Sequence, residues 1–299
     1  MSESKVTVWP ELKLPRGVKP GTRIAPHVLV RTSVFSTLEY SGAAKRPLIH
    51  KSEPLPLDGM SQYRAEQLEG HRLSQSDADL LFWLLARAYR DGAPKDQAVV
   101  FFKRGEALTA LGRIRGGKTD NMLDQSLQRL RAAEFNFEEK YKDKGMLPLS
   151  QTRLLSRVDR ANDDTNHYDY RVTIADGVAE LLRDGSWVLL SSEVREELAS
   201  DPLAKGLYAL FESNEIVHPT KPETLQRGMG RGEVKDARGE PRINAMQPSK
   251  WLFALRRALA RVQSARGWLQ CEVAQEGLHA GKVVVTKGGQ RRRPVQRVV

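Results

Sequence analysis

Lys118, Asn121, Gln125 and Gln128 recur three or four residues apart, which places them on one side of a helix. Side-chain amides at that spacing suit adenine edges, and a lysine beside them suits a phosphate. No acid falls on that side to repel a polyanion. A second set lies downstream, where Lys250, Arg257 and Arg261 share one face of another candidate helix. Arginine there can pair with guanine or with phosphate. Arg113, Arg115, Thr119 and Arg129 surround the first set, and Ser249, Phe253 and Arg256 the second. Arg291, Arg292 and Arg293 add an acid-free basic tail. The chemistry these residues offer is recognition of duplex DNA rather than bond making.

Other chemistry has weaker footing. Gly112 to Thr119 (GRIRGGKT) satisfies the phosphate-loop pattern letter by letter. Such a loop needs a buried strand feeding into it, yet Glu106 to Leu111 reads as helix and the nearest strand ends near Phe102. No apolar run ending in aspartate follows to hold magnesium. His27, His50, His71, His167, His218 and His279 are scattered without ligand spacing, and His167 near Tyr168 lacks the paired histidines of a nicking enzyme. Asp159 to Asp164 reads as a solvated turn rather than a two-metal site. The expectation is a non-enzymatic protein with no metal and no cofactor.

The elements that must position the two sets share one plan. In each, a short helix and a turn precede a longer amphipathic helix, and a β-prone segment follows. In the first, a strand at Val99–Phe102 and a helix at Arg104–Leu111 lead to a helix from about Lys118 to Ala133, with Leu123, Leu127 and Leu130 facing a core. In the second, a helix begins at Asp201-Pro202, an N-cap followed by proline in the first turn, and a short helix is expected at Thr220–Arg227. A longer helix then runs from Pro248-Ser249 to about Arg266, with Leu252, Leu255, Leu259 and Val262 as its apolar stripe.

Upstream, Ser74 and Asp77 form a capping-box-like pair that opens a helix ending at Asp91-Gly92. Phe135, Phe137 and Tyr141 alternate in a strand, and strands at about Leu147–Val158 and Tyr168–Ile174 would complete a wing with a polar tip at 161–166. Strands at Trp268–Ala274 and Lys282–Thr286 flank a glycine turn. Val28–Tyr40 reads as strand, Lys45–Gln62 as loop, and Gly228–Gln247 as a mobile insertion. Four prolines up to Pro26 break regular structure, with Trp9 docking that arm on the fold.

The fold expected is α+β, two tandem winged-helix domains at 28–190 and 191–286. A Pro-rich basic arm at 1–27 and a disordered basic tail at 287–299 flank them. With 299 residues and a 40% hydrophobic fraction the chain can build two cores. A net charge of +11 and a pI near 9.8 point to a polyanionic partner. Cys271 is the sole cysteine, so an internal disulfide and a thiolate zinc cluster are both excluded. No apolar run approaches the roughly 18–20 residues of a membrane span, and MSESKVTVWP has neither a signal-peptide core nor a lipidation site. A cytoplasmic location is expected.

Several strings resemble the TrfA-type plasmid replication initiators: Leu127 to Phe137 (LQRLRAAEFNF), Tyr170 to Ala175 (YRVTIA) with the following Leu181–Leu190 segment, Ala204 to Phe211 (AKGLYALF), and Lys221 to Leu225 (KPETL). In order and spacing the resemblance covers roughly Val30 to Val273. It implies two winged-helix domains that bind repeated sites, iterons, at an origin. It further implies opening of an adjacent AT-rich segment, contact with its single strands, and recruitment of a host initiator and helicase. A monomer–dimer equilibrium belongs to the same expectation. The base-reading helices would correspond to Lys118–Arg131 and Lys250–Arg261. The Pro-rich N-terminus and the Gly228–Gln247 insertion depart from the pattern. A winged-helix repressor would need no different residues.

Overall fold

A computed structural model of the chain describes residues 8–14, 22–40, 46–55, 62–141, 144–161, 167–232, 234–235, 241–243 and 246–288. Trp9 is buried edge-on to Tyr89, so the N-terminal arm does dock on the fold. The arm is not irregular to its end: Arg23–Pro26 forms β1, antiparallel to β12 (Trp187–Leu190). The strand expected at Val28–Tyr40 is also corrected. His27–Arg31 is a short helix, α1, followed by the two-residue β2 (Phe35–Ser36). Val28 and Val30 favour a strand locally, but the helix buries Val28, Leu29 and Val30 together. That burial outweighs a propensity difference of at most about 1 kcal/mol.

The expected loop at 45–62 contains β3 (Leu48–Ile49) and β4 (Glu53–Pro54), both paired with the nine-residue β5 (Tyr63–His71). β6 (Leu73–Ser74) runs parallel to β2 and leads into α2 (Gln75–Ala88). Asp77 Oδ2 accepts from the Ser74 backbone amide at 2.9 Å, satisfying one orphan donor of the first turn as the sequence indicates. The helix stops at Ala88, three residues before the expected Asp91-Gly92.

β7 (Val99–Phe102), α3 (Arg104–Ala110) and α4 (Gly117–Ala132) then follow at the expected places. β8 (Glu134–Tyr141) comes next, with Phe135 and Phe137 buried. The single strand expected at 147–158 is two strands in two sheets. β9 (Gly145–Arg153) pairs with β8 and extends the β5 sheet, whereas β10 (Leu155–Arg160) pairs with β11 (Tyr170–Ile174). The break falls between the two sheets, where Leu154 and Leu155 are both buried. The sheet order β10-β11-β7 places β11 between the other two, and β10 packs against α4. The expected polar tip falls largely on 162–166, outside the described residues.

After α5 (Gly177–Glu180) and β12 come α6 (Ser192–Glu197) and α7 (Pro202–Glu212), the latter capped as expected by the Asp201 carboxylate on Ala204 N at 3.1 Å. α8 (Pro222–Gly228) begins two residues later than expected, because Thr220 instead forms a β-bridge with Val283. Part of the 228–247 insertion lies outside the described residues, and its described backbone pairs β13 (Val234–Lys235) with β14 (Pro241–Ile243). α9 (Pro248–Arg266), β15 (Gln270–Val273) and β16 (Val283–Thr286) are the last elements among the described residues. The second half thus repeats the first: α7, the Thr220 bridge, α8, α9, β15 and β16 correspond in order to α2, β7, α3, α4, β10 and β11. In both, the last strand lies between the other two. The molecule is mixed α/β with several small sheets.

A buried charge cluster joins the halves. Asp79 of α2 accepts hydrogen bonds from Arg23 of β1, from Arg195 of α6 at 2.5 Å and from Lys205 of α7 at 2.6 Å. Burial alone would push the Asp79 carboxyl up, but Arg195, Arg23 and Lys205 outweigh it and hold it well below the usual carboxylate range.

Candidate nucleic-acid interface

The connection from α3 to α4 is built by glycine. Gly112 takes a left-handed φ of +64°, its amide bonds Thr109 O at 3.0 Å, and the Arg113 amide bonds Leu108 O at 2.8 Å. This double closure ends α3 and turns the chain towards α4. The phosphate-loop-like string is therefore a helix-to-helix turn whose first glycine is a helix C-terminal cap. Thr119 turns back on its own loop, its hydroxyl donating to Ile114 O and Gly116 O at 2.8 Å each. Arg113 is half-buried, whereas Arg115 and Ile114 stand out, the latter 89% exposed.

On α4, Leu123, Ser126, Leu127 and Leu130 are buried, while Lys118, Asn121, Met122, Gln125 and Gln128 are exposed. The helix carries two acids, and both are occupied. Asp120 pairs with Arg104 at 3.3 Å, and Asp124 accepts from the Tyr170 hydroxyl at 2.5 Å and lies 3.5 Å from Arg160. Burial and the Asp124 hydrogen bond push the Tyr170 hydroxyl up to about 12, so it stays a donor. The exposed amide side chains are left as the polar face.

α9 repeats this arrangement without any acid. Trp251, Leu255, Ala258, Leu259 and Val262 are buried, and the Trp251 ring nitrogen donates to Pro222 O at 3.0 Å, fixing α9 on α8. Ser249, Lys250, Phe253, Arg256 and Arg257 are exposed. Matching Leu123, Leu127 and Leu130 to Leu255, Leu259 and Val262 puts Lys118 on Lys250, Asn121 on Phe253, Gln125 on Arg257 and Arg129 on Arg261.

The last pair corrects the expected division of labour. Arg129 does not extend the polar face; its guanidinium holds Asp77 on α2 at 2.7 Å. Arg261 likewise turns to the start of α7, bonding Glu197 O at 3.1 Å and Ser200 Oγ at 3.2 Å, and lying 3.5 Å from Asp201 Oδ2. Arg129 clamps α4 to α2, and Arg261 clamps α9 to the junction of α6 and α7. Arg257 reaches Asp201 only at 3.8 Å and its side chain is 65% exposed, so it stays on the open face. Arg291, Arg292 and Arg293 lie outside the described residues.

α6 lies beside both the α3–α4 turn and α9. Glu196 of α6 packs under the α3–α4 turn, where a Cβ on Gly112 would meet its Cγ at 3.2 Å. Glu197, one residue on, receives Arg261 of α9.

With this arrangement established, solved structures supply a match. The fold resembles domains 2 and 3 of RctB. A selenomethionine crystal structure of those domains superposes with a TM-score of 0.53 over 88% of this chain and 98% of that one, at 14% identity. A second RctB domain 2–3 structure gives 0.52 over 87% and 96%, also at 14% identity. No protein-family model and no curated protein matches the sequence. At this identity the likeness is one of fold, and it extends through both halves.

Sequence reading missed the clamps because an arginine on a polar-looking helix position is ambiguous until its partner is placed. Asp77 and Asp201 were visible only as helix-starting residues. Among the described residues no group of histidine, cysteine and carboxylate side chains could hold a metal ion, and no helix is long and apolar enough to cross a membrane.

Proposed function

We propose that the chain is a DNA-binding replication initiator whose two halves are winged-helix units, with α4 and α9 as the helices that enter the major groove. The observation that carries this is the repeat of one arrangement. Two equivalent helices, each clamped by an internal arginine, present faces on which the acids are either absent or paired. The fold likeness to RctB domains 2 and 3 supports the initiator reading. The narrower TrfA-type assignment rests on the residue strings alone, as do iteron binding, opening of AT-rich DNA, recruitment of a host initiator and helicase, and the monomer–dimer equilibrium. Action in the cytoplasm follows from the same reading.

Lys118, Asn121, Gln125 and Gln128 would contact one groove segment, and Lys250, Phe253, Arg256 and Arg257 another. Footprinting on DNA flanking the gene tests this. Repeated protected sites in phase with the helical turn are expected, whereas a single operator would favour the repressor. Affinity should fall with salt, since Arg115, Lys118, Lys250, Arg256 and Arg257 each release counterions, giving a log–log slope of about −4 to −5 if all five touch phosphate. A nearly flat slope would refute the basic-face reading.

The chain acts without nucleotide chemistry in this proposal. Lys118→Ala should weaken duplex binding, and calorimetry with magnesium-ATP should show no binding to either protein. A micromolar ATP affinity of the wild type, lost in the variant, would overturn it.

A further inference from the structure

Phe253 is 71% exposed on α9, an unusual place for a phenylalanine. Its helical neighbours three and four residues away are Ser249, Lys250, Arg256 and Arg257. All four are exposed, and three are cationic. An apolar ring encircled by cations is a poor docking point for another apolar protein surface, because burying it would also strip water from the cations. It fits a polyanion that carries an apolar group between its charges. Duplex DNA offers such a group in the major groove: the 5-methyl of thymine, which phenylalanine can contact directly.

The repeat places this residue on the reading face. Phe253 occupies the position that Asn121 holds on α4, one turn beyond the lysines Lys118 and Lys250. Its main chain is firmly held, since Trp251 and Leu255 on either side are buried and Trp251 is bonded to Pro222 O. The ring therefore projects from a fixed helix.

Resting on the DNA-binding reading above, we infer that Phe253 is a specificity-determining residue that reads a thymine methyl within the site of the second half. The first half, with Asn121 at the same position, reads an adenine edge there. The two halves thus obey different rules, and the recognised site is asymmetric.

The test uses the whole 299-residue chain. Duplexes are selected from a randomised library, and each thymine of the selected site is replaced in turn by uracil, which removes only the methyl. Wild type should lose affinity at one thymine by about fourfold, the transfer of a single methyl from water. Phe253→Ala should bind the parent site more weakly and be indifferent to that same replacement, with an unchanged melting temperature because the side chain is exposed. A Phe253→Leu variant, still apolar, should retain part of the methyl sensitivity. If wild type selects a duplex but no thymine is methyl-sensitive, or if Phe253→Ala remains equally sensitive, the inference falls while the DNA-binding reading stands. If no duplex is selected, both fall.

Discussion

Replacing Asp79 by asparagine removes one charge and almost no volume from the junction between the halves. It would leave Arg23, Arg195 and Lys205 buried together without their shared carboxylate. Arg23 keeps the Ser192 hydroxyl at 3.0 Å and Ala110 O at 2.8 Å, and Arg195 keeps Gln75 Oε1 at 3.1 Å. Lys205, by contrast, makes its side-chain hydrogen bond to Asp79. Burial already lowers its amine while Asp79 raises it again, so losing the carboxylate favours the neutral amine. Shedding that proton at pH 7, from the usual lysine value of 10.5, caps its penalty at about 5 kcal/mol. Breaking a buried pair costs about 3–5 kcal/mol in general. A loss of about 3–5 kcal/mol is therefore expected for Asp79→Asn, a large part of the roughly 5–15 kcal/mol that stabilises a typical domain.

Urea unfolding followed by tryptophan fluorescence and by circular dichroism measures this. The variant should show a much lower midpoint, and its two probes should separate as the halves uncouple. Raising the pH from 7 towards 10 should narrow the deficit. The folded lysine would then bind fewer protons than the unfolded one, so stability rises with pH in that window. Adding Lys205→Met should recover about 2 kcal/mol or more, since it removes a stranded cation. A single Asp79→Asn variant within about 1 kcal/mol of wild type, or a double variant less stable than the single, would refute this account of the cluster.

Two further outcomes follow from the geometry. Arg129→Ala and Arg261→Ala should act mainly on stability. Arg129→Ala costs more, about 1.5–3 kcal/mol, because Arg129 is the better buried of the two arginines, while Asp77 keeps Arg46 and the Ser74 and Ser126 hydroxyls; chemical denaturation beside a gel shift would detect the reverse pattern, lost affinity at unchanged stability. His27 is lowered to about 4 by burial and by Arg31, from 6.5. Its neutral form is favoured by folding, so stability should be full above about 6.5 and fall as the pH drops towards 4. His27→Gln should flatten that fall, and parallel pH–stability curves for the two proteins would disprove the assignment.

The long helices were legible in the sequence because their apolar stripes repeat at the helical period and their ends carry strong signals. Pro248 opens α9 and Asp201-Pro202 opens α7, as read from residue types alone. Equivalence of the two halves was legible too, from the order of short helix, turn, long helix and β segment. What failed was local wherever neighbours distant in sequence decide. Val28–Val30 became helix because burying all three residues outweighed their β preference, and 147–158 split because two different sheets each claimed part of it. The role of a helix-face charge depends in the same way on a partner far along the chain. Lys118 and Lys250 stay open, whereas Arg129 and Arg261 turn inward, because Asp77 and the Glu197–Asp201 segment come within reach only after α2 and α7 have packed. Composition and periodicity determine which residues can line a helix face; a carboxylate's position in three dimensions determines which of them remain there to meet DNA.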